Sequence, residues 1–354
     1  MYRDTYVEIN LGNIESNVCE IIKKYNNYKY YFGVVKADCY GHGDIKTVGA
    51  IIKGGANYLA VATLDEAVRI RKVYKNIPIL CLGIVYNKYL YVAKKYNITL
   101  SITSLEYLNS LNIEKLKGLK VHIKVNTGMN RLGVSSKKEF NRVFDLLNKN
   151  NIEIEGIYSH VYNSNSSKKT NEQFSMFENI TSDIDLSKIK IIHIPASSAI
   201  VKYKKKEYVN GCRLGIIMYG FSDNNDLNLK STFKVYSRVI QINNLRKGDT
   251  LGYDGAYTAN KDEKIAVVAI GYADGIVRKN KGRDVYINDK KYKIVGNICM
   301  DMLFVSVDDS VKLFDTVEVI KDVRHIKEIS SHVDSIPYEV MCEIGKRVNR
   351  KYIN

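Results

Sequence analysis

The sequence predicts a parallel (β/α)8 barrel of the TIM type followed by a mostly β C-terminal domain. Three observations predict it. Eight apolar, strand-like runs recur in a steady rhythm between residues 31 and 216, and most intervals between them carry apolar residues at helical spacing. Beyond residue 223 the text changes to short alternating runs.

An opening strand over residues 5–9 and a helical stretch over 13–25 come first. The eight runs follow at 31–37, 58–63, 79–83, 99–103, 120–126, 154–161, 191–197 and 212–216, with helical spacing clearest at 64–74, 136–150 and 170–184. A polar connector, Asn224-Asn225-Asp226-Leu227-Asn228, leads to alternating runs at 236–242, 265–270, 283–287, 292–295, 302–307 and 316–320. Asn288-Asp289-Lys290 reads as a hairpin-like turn, and a helix is expected over 323–333. The expected division is a barrel over 1–226 and a β-rich domain over 227–354, with the opening strand free to pack with the second domain.

A chain of 354 residues is long enough for one large core or two ordinary ones. Neither end carries an 18-residue apolar run, and Met1-Tyr2-Arg3-Asp4-Thr5 lacks the charged-then-apolar order of a signal peptide. A cytoplasmic protein with no membrane partner is expected. The formal charge of +16 raises nucleic-acid binding, but the lysines are dispersed and the densest run, 202–206, is short. With 27 tyrosines and three prolines the charge reads as residue usage, so no nucleic-acid partner is expected. The six cysteines, at 19, 39, 81, 212, 299 and 342, form no C-x-x-C pair and lie in apolar surroundings. They read as reduced core residues, with neither a disulfide frame nor a metal site.

In such a barrel the chemistry gathers where the strands end. The first run ends in Lys36, an ammonium that is costly at the end of a core strand unless paired or neutralised. A desolvated lysine is also a good nucleophile toward an aldehyde cofactor, although a snorkelling lysine is the plainer reading. The fifth run holds Lys124 and leads to Arg131, the sixth ends in Ser159-His160, the seventh reaches Ser197, and the eighth carries Arg213 followed by Gly215-Ile216. Singly, His160 reads as a core histidine, Ser197 as a helix cap and Arg131 as an ion-paired loop residue. Their collection at one mouth favours a site.

Val35-Lys36-Ala37-Asp38-Cys39-Tyr40-Gly41-His42-Gly43 closely resembles the signature around the cofactor lysine of the alanine racemase family, fold-type III enzymes dependent on pyridoxal 5'-phosphate (PLP). The resemblance extends in order from residue 5 to about 352. It implies that Lys36 holds PLP as a Schiff base and that Tyr40 reaches the phosphate. Arg131, in Asn126-Thr127-Gly128-Met129-Asn130-Arg131-Leu132-Gly133, is implied to meet the cofactor's phenolic oxygen and the substrate carboxylate. Lys124 matches a lysine that is carbamylated in some members. Ser197 and the backbone of Gly215 and Ile216 match phosphate contacts, and Arg213 matches the arginine facing the pyridine nitrogen, with His160 behind it. Such an arginine keeps its proton, so the ring nitrogen stays unprotonated and the cofactor is a weaker electron sink than beside a carboxylate.

The second domain resembles the family in Gly252-Tyr253-Asp254-Gly255, Gly271-Tyr272-Ala273-Asp274-Gly275 and Ile298-Cys299-Met300-Asp301. Tyr253 is implied to be the acid/base opposite Lys36, Tyr272 a substrate-pocket residue, Met300 a backbone donor to the substrate carboxylate, and Tyr338 a phosphate-touching tyrosine that closes the pocket. In the family the groups matched by Tyr253, Tyr272 and Met300 come from the partner subunit, which implies a head-to-tail homodimer. Two positions of the entry corridor depart from the pattern: Asn165 replaces an aspartate and Asn297 an arginine, while Arg278 remains. The expectation is two-base racemisation of L-alanine to D-alanine for cell-wall precursors. A serine or broad-specificity racemase is the nearest alternative. A non-catalytic PLP-binding barrel protein fits less well, because such proteins resemble the barrel alone.

Overall fold

The computed structural model describes residues 2–222 and 226–354; Asn224 and Asn225 of the polar connector lie outside the described residues. The chain divides into two compact units, one formed by residues 14–39 and 44–229, the other by 1–13, 40–43 and 230–354.

The chain begins with β1 (Tyr6–Asn10), which belongs to the second unit. In the first unit, β2 (Tyr30–Val34), β3 (Tyr58–Val61), β4 (Ile79–Cys81), β5 (Thr99–Ile102), β6 (Lys120–Lys124), β7 (Glu153–Tyr158), β8 (Ile191–Ala196) and β9 (Gly211–Leu214) pair in that order as a closed barrel. All eight expected runs are strands of it. Every pairing is parallel, and β2 against β9 closes the ring with Tyr30 opposite Gly211. Strands buried on both faces need apolar side chains throughout, and β3, β4 and β5 are buried at every position.

The helices between strands start where short polar side chains can accept backbone amides. Ser136 accepts from Glu139 N–H ahead of the helix Lys137–Lys149, and Ser166 from Lys169 N–H ahead of Ser167–Ile180. Phe140, Val143 and Leu147 mark the buried stripe of the first, three to four residues apart.

The second unit holds β10 (Phe233–Leu245), the short pair β11 (Thr250–Leu251) and β12 (Tyr257–Thr258), β13 (Glu263–Val268), β14 (Asp284–Ile287), β15 (Lys290–Val295), β16 (Leu303–Val307), β17 (Thr316–Ile320) and β18 (Asn349–Ile353). Its large sheet runs β13-β16-β15-β14-β17-β10-β1-β18, with β13 also paired to β10. β1 lies antiparallel to β10 and parallel to β18. The turn Asn288-Asp289 has φ 51° and 62° at its two central residues and joins Ile287 to its partner Lys290, as a two-residue hairpin of the primed kind requires. Among the described residues no helix is long and apolar enough to cross a membrane.

The cysteines divide differently from expectation. Cys39, Cys81 and Cys212 are buried, but Cys19 and Cys342 are exposed and Cys299 is intermediate. Cys19 follows Val18 on the helix Leu11–Lys24, and one residue's rotation carries it off the stripe formed by Ile14, Val18 and Ile21. None of the six is joined in a disulfide.

Candidate active site

β2 ends at Val34, and Lys36 stands two residues further on, half-buried. The four residues after it, Ala37, Asp38, Cys39 and Tyr40, have φ of 51°, 50°, 54° and 55°, a left-handed turn built without glycine. Each such residue costs roughly 1–2 kcal/mol relative to the right-handed region, so neighbours must hold the turn. One helix, Leu64–Val73, supplies them. Glu66 Oε1 accepts the Ala37 N–H at 2.7 Å, and Arg69 Nη2 donates to Asp38 Oδ1 at 2.6 Å. The other carboxylate oxygen of Glu66 accepts Ala62 N–H at 2.8 Å and Thr63 N–H at 3.1 Å, within a capping box that starts the same helix. The residue that begins the helix therefore also anchors the turn behind Lys36.

The barrel brings Lys36, Lys124, Arg131, His160 and Arg213 within electrostatic reach of one another. Burial, then the charges of Arg213, Arg131 and Lys36, push the Lys124 amine down to about 7. Burial and the same surrounding cations, with Lys124 among them, push His160 down to about 3, so its imidazole is neutral at physiological pH. Lys124 Nζ lies 5.2 Å above the Tyr158 ring.

Arg213 is the most constrained of the set. Nη1 donates to His193 Nδ1 at 2.7 Å and His193 O at 2.9 Å; Nη2 donates to Ser159 O at 2.7 Å, Ile194 O at 2.9 Å and His160 Nδ1 at 3.0 Å. Sequence reasoning found the arginine and His160 but missed His193. Within the apolar run Ile191-Ile192-His193-Ile194 a lone histidine carries no signal of what it faces, and its partner Arg213 sits on the next strand, 20 residues on.

Ser197 does not cap the helix Ser197–Lys202; it is the first helical residue, and its Oγ accepts the Gly215 N–H at 3.1 Å. Ile216 follows at the start of the buried turn Ile216–Tyr219. Ser197, Gly215 and Ile216 are thereby brought together. Arg131 is exposed, in the segment after β6. Asn126 shapes that segment by accepting Gly128 N–H at 3.2 Å and Asn130 N–H at 3.0 Å, while Thr127 Oγ1 meets Ser159 Oγ at 2.7 Å. A groove of about 850 Å³ lined by Ile84, Tyr86, Tyr107 and Arg131 runs beside it. Asn165 accepts a hydrogen bond from Lys202 Nζ at 2.5 Å.

The second unit carries the remaining candidates. Tyr40 and Tyr338 lie with ring centroids 5.7 Å apart. Tyr338 sits on the helix Pro337–Glu343, a helix not anticipated from sequence. Tyr272 N–H donates to Cys299 O and Ala273 N–H to Met300 O, both at 3.0 Å, which sets Tyr272 and Met300 side by side. Asp274, fully buried, ties this turn down by accepting from Arg3 Nη2 at 2.7 Å, Arg347 Nε at 3.0 Å and Gly271 N–H at 3.0 Å. Tyr253 follows Gly252, which has φ 73°, and its carbonyl accepts from Asn297 Nδ2 at 3.5 Å. Tyr253, Tyr272 and Met300 are 71%, 42% and 53% exposed. Among the described residues no group of three His, Cys, Asp or Glu side chains is placed to hold a metal ion.

Residues 9–223 match the alanine racemase N-terminal domain family, and residues 232–352 match the alanine racemase C-terminal domain family. Alanine racemase 1 of Bacillus subtilis is 36% identical over 366 residues, covering 99% of this chain and 94% of the relative. The crystal structure of alanine racemase from Bacillus anthracis with bound L-Ala-P superposes with a TM-score of 0.92 at 30% identity, covering 100% of this chain and 96% of that one. Alanine racemase from Bartonella henselae, crystallised with covalently bound pyridoxal phosphate, gives a TM-score of 0.89 at 27% identity, covering 99% of each chain. On both its domains and along its full length, this chain belongs to the alanine racemase family of isomerases.

Proposed function

We propose that the protein interconverts L- and D-alanine with PLP held on Lys36, using Lys36 and Tyr253 as acid/base groups on opposite faces of the substrate's α-carbon. The observation that carries this reading is the gathering of Lys36, Lys124, Arg131 and Arg213 around a neutral His160 at one barrel mouth. That donor set fits the cofactor: a lysine amine for an aldehyde, a serine hydroxyl beside the Gly215 and Ile216 amides for a phosphate, and locked guanidinium N–H groups for a ring nitrogen. When bound, PLP supplies an electron-withdrawing ring that acidifies the α-hydrogen of an attached amino acid.

The chain's own residues do the rest. Lys36 moves the proton on one face and Tyr253 on the other. Ser197, Gly215, Ile216, Tyr40 and Tyr338 hold the phosphate. Arg213, which only donates, leaves the ring nitrogen without a proton and so limits side reactions. Arg131 and the Met300 amide orient the substrate carboxylate, Tyr272 lines the pocket, and Lys124, at about 7, has a neutral fraction able to take up carbon dioxide and brace Arg131. The exposure of Tyr253, Tyr272 and Met300 supports their serving the barrel of a second copy in a head-to-tail homodimer. The reading places the enzyme in the cytoplasm, supplying D-alanine to cell-wall precursors.

Asn165 and Asn297 keep a serine-preferring racemase as the second reading, since they remove one charge of each sign from the corridor. Tyr338 restricts room beyond a methyl group, and excluding one extra group from a tight pocket is worth about 1–3 kcal/mol, so alanine should lead serine in kcat/KM by roughly 10- to 200-fold. The test is the PLP-loaded protein assayed against a panel of L-amino acids with chiral detection. Serine equal to or ahead of alanine overturns the alanine assignment.

A further inference from the structure

From Arg213 a line of side chains descends through the barrel interior. His193 accepts from Arg213 through Nδ1 at 2.7 Å; its Nε2 lies 2.9 Å from His122 Nδ1; and His122 Nε2 lies 3.4 Å from Glu155 Oε2. Both histidines are fully buried and Glu155 is 3% exposed. The line is tightly built. His193 is stacked between Phe32, centroid 4.4 Å away, and Tyr158, 4.7 Å away, and Gly156 leaves room for His122, whose ring an added Cβ would meet at 2.7 Å. At the floor, Tyr58 Oη donates to Glu155 Oε2 at 2.8 Å, while Lys190 and Lys120 donate to Oε1 at 2.8 and 3.1 Å. A cavity of about 230 Å³ opens there, lined by Glu155, Lys120, Lys190, Tyr58 and Arg71.

The two ends dictate the polarity of the whole line. A guanidinium only donates and a carboxylate only accepts. Glu155 therefore requires the hydrogen of His122 on Nε2, which leaves a lone pair on Nδ1. That lone pair requires the hydrogen of His193 on Nε2, which leaves the His193 Nδ1 lone pair facing Arg213. A second proton on either ring, or the opposite tautomer, would set N–H against N–H somewhere along the line. Burial, then the Arg213 charge, holds His193 far below its ordinary value, and burial lowers His122, so both rings are neutral. Burial alone would raise the Glu155 carboxyl, but hydrogen bonds from His122, Lys190 and Tyr58 outweigh it and keep it ionised.

We propose that Glu155, at the floor of the barrel, is a positioning residue for Arg213 at the mouth, acting by selecting the Nε2–H tautomer of His122 and then of His193. With the carboxylate present, Arg213 Nη1 meets an acceptor and its guanidinium keeps one orientation. In Glu155→Gln, Lys190 and Lys120 keep the amide oxygen, so an amide N–H takes the place of Oε2 and demands a lone pair on His122 Nε2, against the demand of Arg213 at the other end; the reversed line sets the His193 N–H against Nη1 and displaces it. The effect on the cofactor rests on the reading given above for Arg213; the tautomer selection does not.

Histidine nitrogen NMR of the isotope-labelled, cofactor-free protein tests the selection directly. In the parent at neutral pH both rings should be neutral with hydrogen on Nε2, and a protonated ring or an Nδ1–H tautomer at either position overturns the proposal without any variant. In Glu155→Gln the single tautomer should be lost at both rings, whereas Lys120→Gln, which removes one donor at the floor, should retain it. Unchanged tautomers in Glu155→Gln also overturn it. The visible absorption band of the PLP-loaded protein, read in the same variants, should shift in Glu155→Gln alone. Tautomers that change while that band stays in place support the tautomer selection and count against Arg213 facing the cofactor ring.

Discussion

At the scale of single residues, the chemistry turns on where charge is allowed to sit. Lys36 and Lys124 stand in one cationic mouth, and the second amine is pushed down to about 7 by burial and by the cations around it. The proposed second acid/base, from the other domain, is the phenol of Tyr253, which is 71% exposed in the isolated chain. Replacing it by phenylalanine keeps the ring and removes the proton carrier. Tyr253→Phe should lower kcat by roughly 10²- to 10⁴-fold, the range general acid–base catalysis supplies, with KM much less affected. The remaining lysine should still exchange the α-hydrogen of one enantiomer with deuterated solvent. Steady-state kinetics in both directions check this, and parental rates from both enantiomers would refute the two-base scheme.

At the scale of elements, the helix Leu64–Val73 has a function beyond covering the barrel. Glu66 and Arg69 pin a left-handed turn of non-glycine residues directly behind Lys36. Glu66→Ala removes a capping interaction whose loss typically costs about 0.5–2 kcal/mol, and it frees the Ala37 amide as well. Displacement of a reacting group by about 1 Å is worth up to roughly 10²-fold in rate. Glu66→Ala should therefore lower both Tm and kcat, while Asp65→Ala, one residue away, should leave kcat unchanged. Parental kcat in Glu66→Ala would show that the turn holds Lys36 without this clamp.

The same element shows where sequence reading stops. The eight barrel runs were legible because apolar stretches between turns have no other solution, and Lys36, Lys124 and Arg213 stood out as charges within or beside them. The left-handed turn was not legible, since Ala37, Asp38 and Cys39 have no local reason to take positive φ; it exists because Glu66 and Arg69 reach it from 29 and 31 residues away. The helix Pro337–Glu343 and strand β18 were missed for a related reason. β18 alternates exposed and half-buried side chains, and its pairing partner β1 lies at the far end of the chain. Glu155 was passed over inside an apolar run because a single carboxylate there reveals nothing of the two lysines and the histidine that neutralise it.

At the scale of the whole molecule, buried histidines make stability depend on pH. His122, His160 and His193 in the barrel, and His325 in the second unit, are all held below the ordinary 6.5, chiefly by burial, with His160 at about 3 and His325 at about 4. In the unfolded chain they take up protons near 6.5, so the unfolded state binds more protons below that pH and stability falls as pH drops through it. Glu155 adds to the loss from about 4.5 downward, because its folded-state value is depressed and protonation forfeits that contribution. The Tm of the cofactor-free protein should therefore decline between pH 7.5 and pH 5, well before carboxylates titrate. A Tm that is level across that interval would mean these histidines are protonated in the fold.

The proposed composite site is the largest claim about the assembly, and subunit complementation tests it most directly. Lys36→Ala and Tyr253→Phe chains are each impaired in every site of their own homodimers. If each site takes its lysine from one chain and its tyrosine from the other, a mixed dimer pairs the Lys36 of the Tyr253→Phe chain with the Tyr253 of the Lys36→Ala chain and so holds one intact site. Co-refolding the two variants, loading with PLP and measuring alanine racemisation by chiral detection should recover activity that neither variant shows alone. No recovery in a mixture shown to contain the mixed dimer would contradict a site shared between two copies.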